Sequence, residues 1–449
     1  MTGSMYAAIA GLRTHMQNLN VIGNNVANVN TQGYKSSRSV FKTTIYTTLS
    51  GGSDGTQVVG GANPSQIGYG SNMASVDIDM STGNLAVTGN PTDMMIDGAG
   101  FFLMGNKDVA ATFDGSAGDV NKLTSLTLTR VGNFEFKADG HLTNNDLCVY
   151  GFMCTGTATQ ADVIAGKAKE VGDPIFSDQL VPIRFPRIKS VEKFYDAEGV
   201  EITGEELADI KEQYDEDGTL PDGVTRKMVP TIMYASDMAD PVDEDGNPDP
   251  DGTRAYKPLD DYHEMITEGE GDAAVTTRKD YPYAQFNGIT VDKKTGIISG
   301  TSNDTNETVI IGCVAIGQVT NPNGVTQIGN SYYTAGPGSG DLTVSVLGGG
   351  AEGMGISHIN QSLGWASAGI GPDGPGADAD DAAVPEDIDG LRIRNGGKTG
   401  LQTNGLESSK TDLAQEIANM IVTQRGYQAN TRIITVTDSM LEELVNMKR

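Results

Sequence analysis

Tryptophan occurs once in 449 residues, and aromatic residues of all kinds make up 6%. So few large rings argue against big helical cores and for many short strands and turns, and 58 glycines point the same way. The three cysteines, Cys148, Cys154 and Cys313, give neither a disulfide framework nor paired CxxC metal knuckles. No apolar run is long enough for a transmembrane helix, so no membrane span is expected. The first residues lack a basic stretch followed by a long apolar core and a cleavage site, so a cleaved signal peptide is not expected. The four histidines, His15, His141, His263 and His358, are scattered without metal-ligand spacing. A nucleophile elbow and a phosphate-binding loop are also missing. Asp243-Glu-Asp245-Gly-Asn247-Pro248 opens like a calcium loop, but Pro248 replaces the required Gly and Arg254 the closing Glu. No catalytic residue, cofactor or metal is expected, and the chain does not read as an enzyme.

Positive charge is scarce as well: 31 basic residues face 59 acidic ones, for a net −28. Between Glu192 and Asp280 there are 26 acidic and 8 basic residues, a net −18 in that stretch alone. So acidic a surface argues against a nucleic-acid partner and reads as a solvated exterior.

What is present is a pattern at the two ends. Met5, Leu12, Leu19 and Val26 fall at intervals of seven, with Ile9, Met16 and, after a one-residue slip at Gly23, Ile22 beside them. Leu406, Leu413, Met420, Tyr427, Ile434 and Leu441 repeat that interval at the other end, with Ile417 in a mixed companion row. Seven residues are nearly two helical turns, so each series draws an apolar stripe along an α-helix. Neither stripe has a helical neighbour in sequence. Each helix alone gains little more from burial than it loses in chain entropy, so the stripes are expected to be covered by neighbouring copies of the chain.

Between the ends the period changes to two. Val76, Ile78 and Met80 alternate with Asp77 and Asp79. Apolar runs follow at Met94-Met-Ile96 and Phe101-Phe-Leu-Met104, and Asp139-Gly140 marks a hairpin turn. The β pattern stops near Gly151 and resumes at Phe286, which suggests an inserted domain. Gly371 to Pro385 reads as a flexible loop.

Some of these segments are familiar. Asn18-Leu-Asn-Val-Ile-Gly-Asn-Asn25-Val-Ala-Asn28-Val-Asn-Thr31-Gln-Gly33-Tyr34-Lys35 closely resembles the N-terminal signature of bacterial flagellar rod and hook proteins. Ser81 to Pro91, Ile96 to Phe102 and Thr129 to Leu142 resemble the family's next shared stretches. Met420-Ile-Val-Thr-Gln-Arg425-Gly426-Tyr427-Gln-Ala-Asn430-Thr-Arg432 is similar to its most specific segment. The large insertion and the passage Ile311 to Asn330 are similar to the hook members.

The resemblance implies an α+β fold. Terminal helices from 1–35 and 404–449 would pair as an inner coiled-coil domain, joined by an extended connector over 36–72. A β-rich middle domain would span 73–154 and 281–403, with an acidic outer β domain at 155–280. The implied function is a structural subunit of the flagellar hook, polymerising into a tube that passes torque from rod to filament. A distal rod or hook–filament junction protein is the alternative within the family. A surface-exposed enzyme or ligand-binding adhesin is the alternative outside it. Implied partners are further copies of the chain, the distal rod, the hook cap, the hook–filament junction proteins and the flagellar type III export machinery. The implied location is extracellular, on the flagellum.

Overall fold

The computed structural model describes the chain apart from residues 1, 56–59, 108–125, 341, 347–399, 448–449 and parts of 159–274. The expected flexible loop at Gly371–Pro385 and the rejected calcium loop at Asp243 lie outside the described residues.

Both ends are helical. Helix α1 covers Thr2–Ala27 and helix α2 covers Leu413–Met447. They run antiparallel: Asn18 reaches Thr423, and Asn25, further along α1, reaches Glu416, earlier on α2. Helix α2 begins at a cap that the sequence supplies, since the Asp412 carboxylate accepts from the backbone N–H of Ala414 and Gln415 at 3.0 and 3.2 Å. This corrects the expectation for Leu406. It continues the heptad spacing but lies before the cap, buried in a short strand.

Residues 36–72 are more structured than a connector. Strands β1 (Ser37–Thr43) and β2 (Tyr46–Ser50) run out, and β3 (Ser65–Gly68) and β4 (Ser71–Ile78) run back. β1 pairs with β4 and β2 with β3, giving a two-stranded antiparallel ribbon. Its base lies on α1, where the Thr14 hydroxyl donates to the Ser71 carbonyl at 3.0 Å. Gly70 permits this approach: its φ is +103°, and a Cβ there would stand 2.9 Å from Ala10 Cβ.

The body is a large antiparallel sheet with short two-stranded pairs beside it. In chain order its first strands are β5 (Leu85–Val87), β6 (Met94–Asp97), β7 (Phe101–Gly105), β8 (Thr127–Thr129), β9 (Glu135–Phe136), β10 (Leu142–Asn144), β11 (Leu147–Thr157) and β12 (Pro174–Pro182). The segment rich in acidic residues follows with β13 (Arg187–Tyr195), β14 (Thr225–Met233), β15 (Ser236–Ala239), β16 (Ala255–Asp260), β17 (His263–Glu268) and β18 (Val275–Asp280). The body resumes with β19 (Phe286–Val291), β20 (Ile297–Ser302), β21 (Thr308–Val319), β22 (Thr326–Gly329), β23 (Tyr332–Thr334), β24 (Leu342–Val346), β25 (Gly400–Thr403) and β26 (Gly405–Glu407). Across the interruption, β11 pairs directly with β21, Gly151 opposite Val314.

The central strands are apolar on both faces because both faces are covered. Phe101, Leu103, Tyr150, Phe152, Cys313 and Ala315 enter one core. Their alternating neighbours Phe102, Met104, Val149, Met153, Val314 and Ile316 enter the other. The β13–β14 hairpin carries a small core of its own, Phe194 with Ile202 and Ile210. Strand β5 closes onto the other end of the chain. It pairs with β26, so the chain entering α2 is stitched to the body.

Candidate assembly interface

The contact between α1 and α2 is made of small and polar side chains. Thr423 and Thr437 are the buried residues of α2. The Asn18 amide donates to the Thr423 hydroxyl at 2.9 Å. A Cβ added at Gly11 would meet Asn430 Nδ2 at 2.7 Å, and one at Gly426 would meet the His15 ring at the same distance. The two glycines therefore let the helices approach closely.

Asn25 is the most connected member of this seam and is 1% exposed. Its Nδ2 donates to the Ser37 carbonyl and to Glu416 Oε1, at 2.8 and 3.0 Å. Its Oδ1 accepts from the Ser37 N–H and the Tyr34 hydroxyl, at 2.9 and 3.0 Å. One amide thus ties the end of α1 to the ribbon and to the start of α2. Asn28 and Thr31 bond to each other in the exposed turn that follows. Gly33 takes φ +65°, and its N–H donates to the Glu407 carbonyl at 2.8 Å.

Next to it lies a charged cluster that the sequence reading did not identify. Lys35 Nζ meets Glu407 Oε1 at 2.6 Å with both side chains 1% exposed, and donates to the Ser81 carbonyl at 2.7 Å. Arg130 Nη1 lies 3.9 Å from Glu407 Oε2, and its guanidinium donates to the carbonyls of Ile96 and Gly98. The Gly83 N–H completes the cage around Glu407 at 2.6 Å. Burial and the neighbouring Arg130 outweigh the carboxylate and draw the Lys35 pKa down to about 8. The sequence cues were Lys35 inside the N-terminal signature and Arg130 inside the Thr129–Leu142 stretch; nothing local marks Glu407 as their partner.

The stripe residues themselves are divided. Ile22 is buried, Met5, Ile9, Leu12, Leu19 and Val26 are half-buried, and Met16 is exposed. On α2, Met420 and Ile434 are half-buried, while Leu413, Ile417, Tyr427 and Leu441 are exposed. Arg425 is exposed, and Gly426 and Asn430 lie in the seam. Ile421, Val436 and Met440 are exposed as well. The ribbon adds Phe41, Ile45, Tyr46, Leu49 and Ile67, each about half exposed or more. Its exposed apolar side chains went unnoticed because they sit singly among Ser, Thr and Gly. Among the described residues no group of His, Cys, Asp or Glu is placed to hold a metal ion, and no helix is long and apolar enough to cross a membrane.

The two segments that build the seam are also the two that match family models. Residues 5–35 match the flagella basal body rod protein family, and 402–447 match the flagellar basal body rod FlgEFG protein C-terminal family. The chain is 27% identical to flagellar hook protein FlgE of Borreliella burgdorferi, with both chains covered from end to end. Along its whole length the chain is thus similar to flagellar rod and hook proteins. It is also 25% identical to flagellar hook protein FlgE of Salmonella typhimurium, over 99% of this chain and 100% of that one. The basal-body rod protein FlgG of Bacillus subtilis is 39% identical, but over 32% of this chain and 49% of its own. A solved structure, the Helicobacter pylori flagellar hook protein FlgE2, aligns with 58% of this chain and 96% of its own at 13% identity and a TM-score of 0.27. End-to-end agreement with hook proteins, against partial agreement with a rod protein, favours a hook subunit over the rod or junction alternative.

Proposed function

We propose that this chain is the repeating structural subunit of a flagellar hook, polymerising into a helical tube that passes torque from rod to filament. One observation carries this reading: the in-chain helix pair spends its polar and small residues on itself and leaves most of the apolar stripe of α2 outside. A self-sufficient helical hairpin would do the reverse. Covering a Leu, Ile or Met side chain contributes about 1.5–3 kcal/mol, so several on each copy suffice to drive association.

In this reading the helices, 1–35 and 404–449, form the inner domain. The ribbon over 36–72 reaches to neighbours, the sheet of 73–154 and 281–403 forms the middle domain, and the acidic 155–280 faces outward. Met5, Ile9, Leu12, Met16 and Leu19, with Leu413, Ile417, Met420, Tyr427, Ile434 and Leu441, meet neighbouring copies. Val26 belongs with them, while the buried Ile22 sets the in-chain geometry together with Asn25, Gly426 and Asn430. An outer surface that is wet and charged suits a bending tube, because exposed ion pairs are individually weak and exchange easily. The subunit is not catalytic. It is exported by the flagellar type III machinery and adjoins the distal rod, hook cap and hook–filament junction proteins.

The test is polymerisation of the purified chain. Raising protein concentration or adding precipitant salt should give tubes in the electron microscope. Chains lacking 1–30 or 405–449 should stay soluble monomers; tubes formed by either truncation would sink the reading.

A further inference from the structure

An open groove of about 760 Å3 runs between α1, α2 and the base of the ribbon. Ile22 and Val422 give its walls an apolar part, and Asp77, Asp79 and Glu416 give it acid groups. Arg38 is the guanidinium on this rim, 3.8 Å from Asp77 and 80% exposed. The groove is thus partly dry and, on balance, negative.

On the far side of α2 from the Thr423–Thr437 seam stand Arg425 and Arg432. They are two turns apart, roughly 10 Å along the axis, and therefore on one face. Both are exposed and neither has an ion-pair partner among the described residues. Ile421 and Val436, 49% and 58% exposed, lie on the same side.

We propose that the groove of one copy receives the Arg425–Arg432 face of α2 from a neighbouring copy; this rests on the reading of the chain as a homopolymer and specifies its contact. The charges are complementary, and each surface carries apolar groups for the other to cover. A chain cannot fill its own groove, because α2 is one wall of the groove and carries the arginines on its opposite side. Groove and arginine face are different surfaces, so the contact is heterologous. Each copy that gives its arginines still offers an empty groove, and the series propagates instead of closing as a two-fold dimer.

The experiment compares tube formation by the full chain, by Arg425→Glu/Arg432→Glu, by Asp77→Arg/Asp79→Arg and by the combination of all four, using sedimentation and electron microscopy. Far-UV circular dichroism of each monomer checks that the helices remain. The arginine variant lies on an exposed face and should keep its helix content. It should also raise the concentration needed for tubes about tenfold or more, since two pairs are lost and repulsion replaces them. Combining the reversals should restore tubes. If the arginine variant polymerises like the unaltered chain, or if it fails and the combination does not recover, the groove contact is wrong while the homopolymer reading stands. If the unaltered chain forms no tubes under any condition, both fall.

Discussion

Glu407 is the residue on which the largest single effects should converge. Lys35 follows α1 by eight residues, Arg130 sits beyond β8 and Glu407 ends β26, so the cluster joins the exit of one helix, the sheet and the entry to the other. Removing one charge from a buried group strands the rest, at roughly 3–5 kcal/mol. Lys35→Met and Glu407→Gln should each lower unfolding stability by about that much, read from urea midpoints; a loss under ~1 kcal/mol would show that the cluster is solvated. The pH dependence has a defined sign. The folded Lys35 amine titrates near 8 and the unfolded one near 10.5. Between those values the unfolded chain binds the extra proton, so this group's contribution to stability rises with pH. Comparison with Lys35→Met across that window isolates the effect, and a contribution that falls with pH would refute it. The cysteines are the inert counterpart. Burial pushes the thiols of Cys154 and Cys313 up to about 12, and Cys148 is also raised. None should be alkylated by iodoacetamide in the folded chain, and all three should react in urea.

At the scale of elements, the seam between α1 and α2 depends on what is small. Gly426 would ordinarily weaken a helix by about 1 kcal/mol relative to Ala. Here it makes room for His15, which a Cβ would meet at 2.7 Å. Gly426→Leu should therefore destabilise the helix pair by about 1–3 kcal/mol in spite of Leu's better helix propensity. Thermal unfolding followed by circular dichroism checks this, and a raised melting temperature would refute it. Elements with a strong local period were legible in the sequence: both helices, the runs at Met94 and Phe101, and the Asp139-Gly140 turn. Of the ribbon only the end of β4 was, through Val76 and Ile78 alternating with Asp77 and Asp79; β1, β2 and β3 set isolated apolar residues among Ser, Thr and Gly and show no such alternation. Leu406 was misplaced for a related reason: a spacing of seven continued by coincidence past the Asp412 cap, and periodicity carries no stop signal of its own.

For the whole molecule, the inserted acidic segment has closely spaced ends. The Ile188 N–H donates to the Pro282 carbonyl and the Ala284 N–H to the Pro186 carbonyl, each at 2.9 Å. Excising 188–282 and closing the gap with a short Gly-Ser link should leave the body folded and still able to form tubes, because the sheet and the helices lie outside the cut. Calorimetry and electron microscopy of the excised chain check this. Loss of the body's unfolding transition would show that the insert is part of the body's core. The same cut removes most of the net −28 charge, so the excised tubes should also aggregate more readily at low salt.

The sequence by itself determined that the two ends are amphipathic helices and that the middle is built of β-strands. It also carried the family motifs. Period and turn chemistry are properties of neighbouring residues, and they survive without tertiary context. Only the tertiary structure decided which side of each helix turns inward, that Asn25 binds three segments at once, and that Lys35, Arg130 and Glu407 share one buried cage. Those outcomes depend on groups hundreds of residues apart competing for the same small space, where close approach and desolvation, not local pattern, choose the partner.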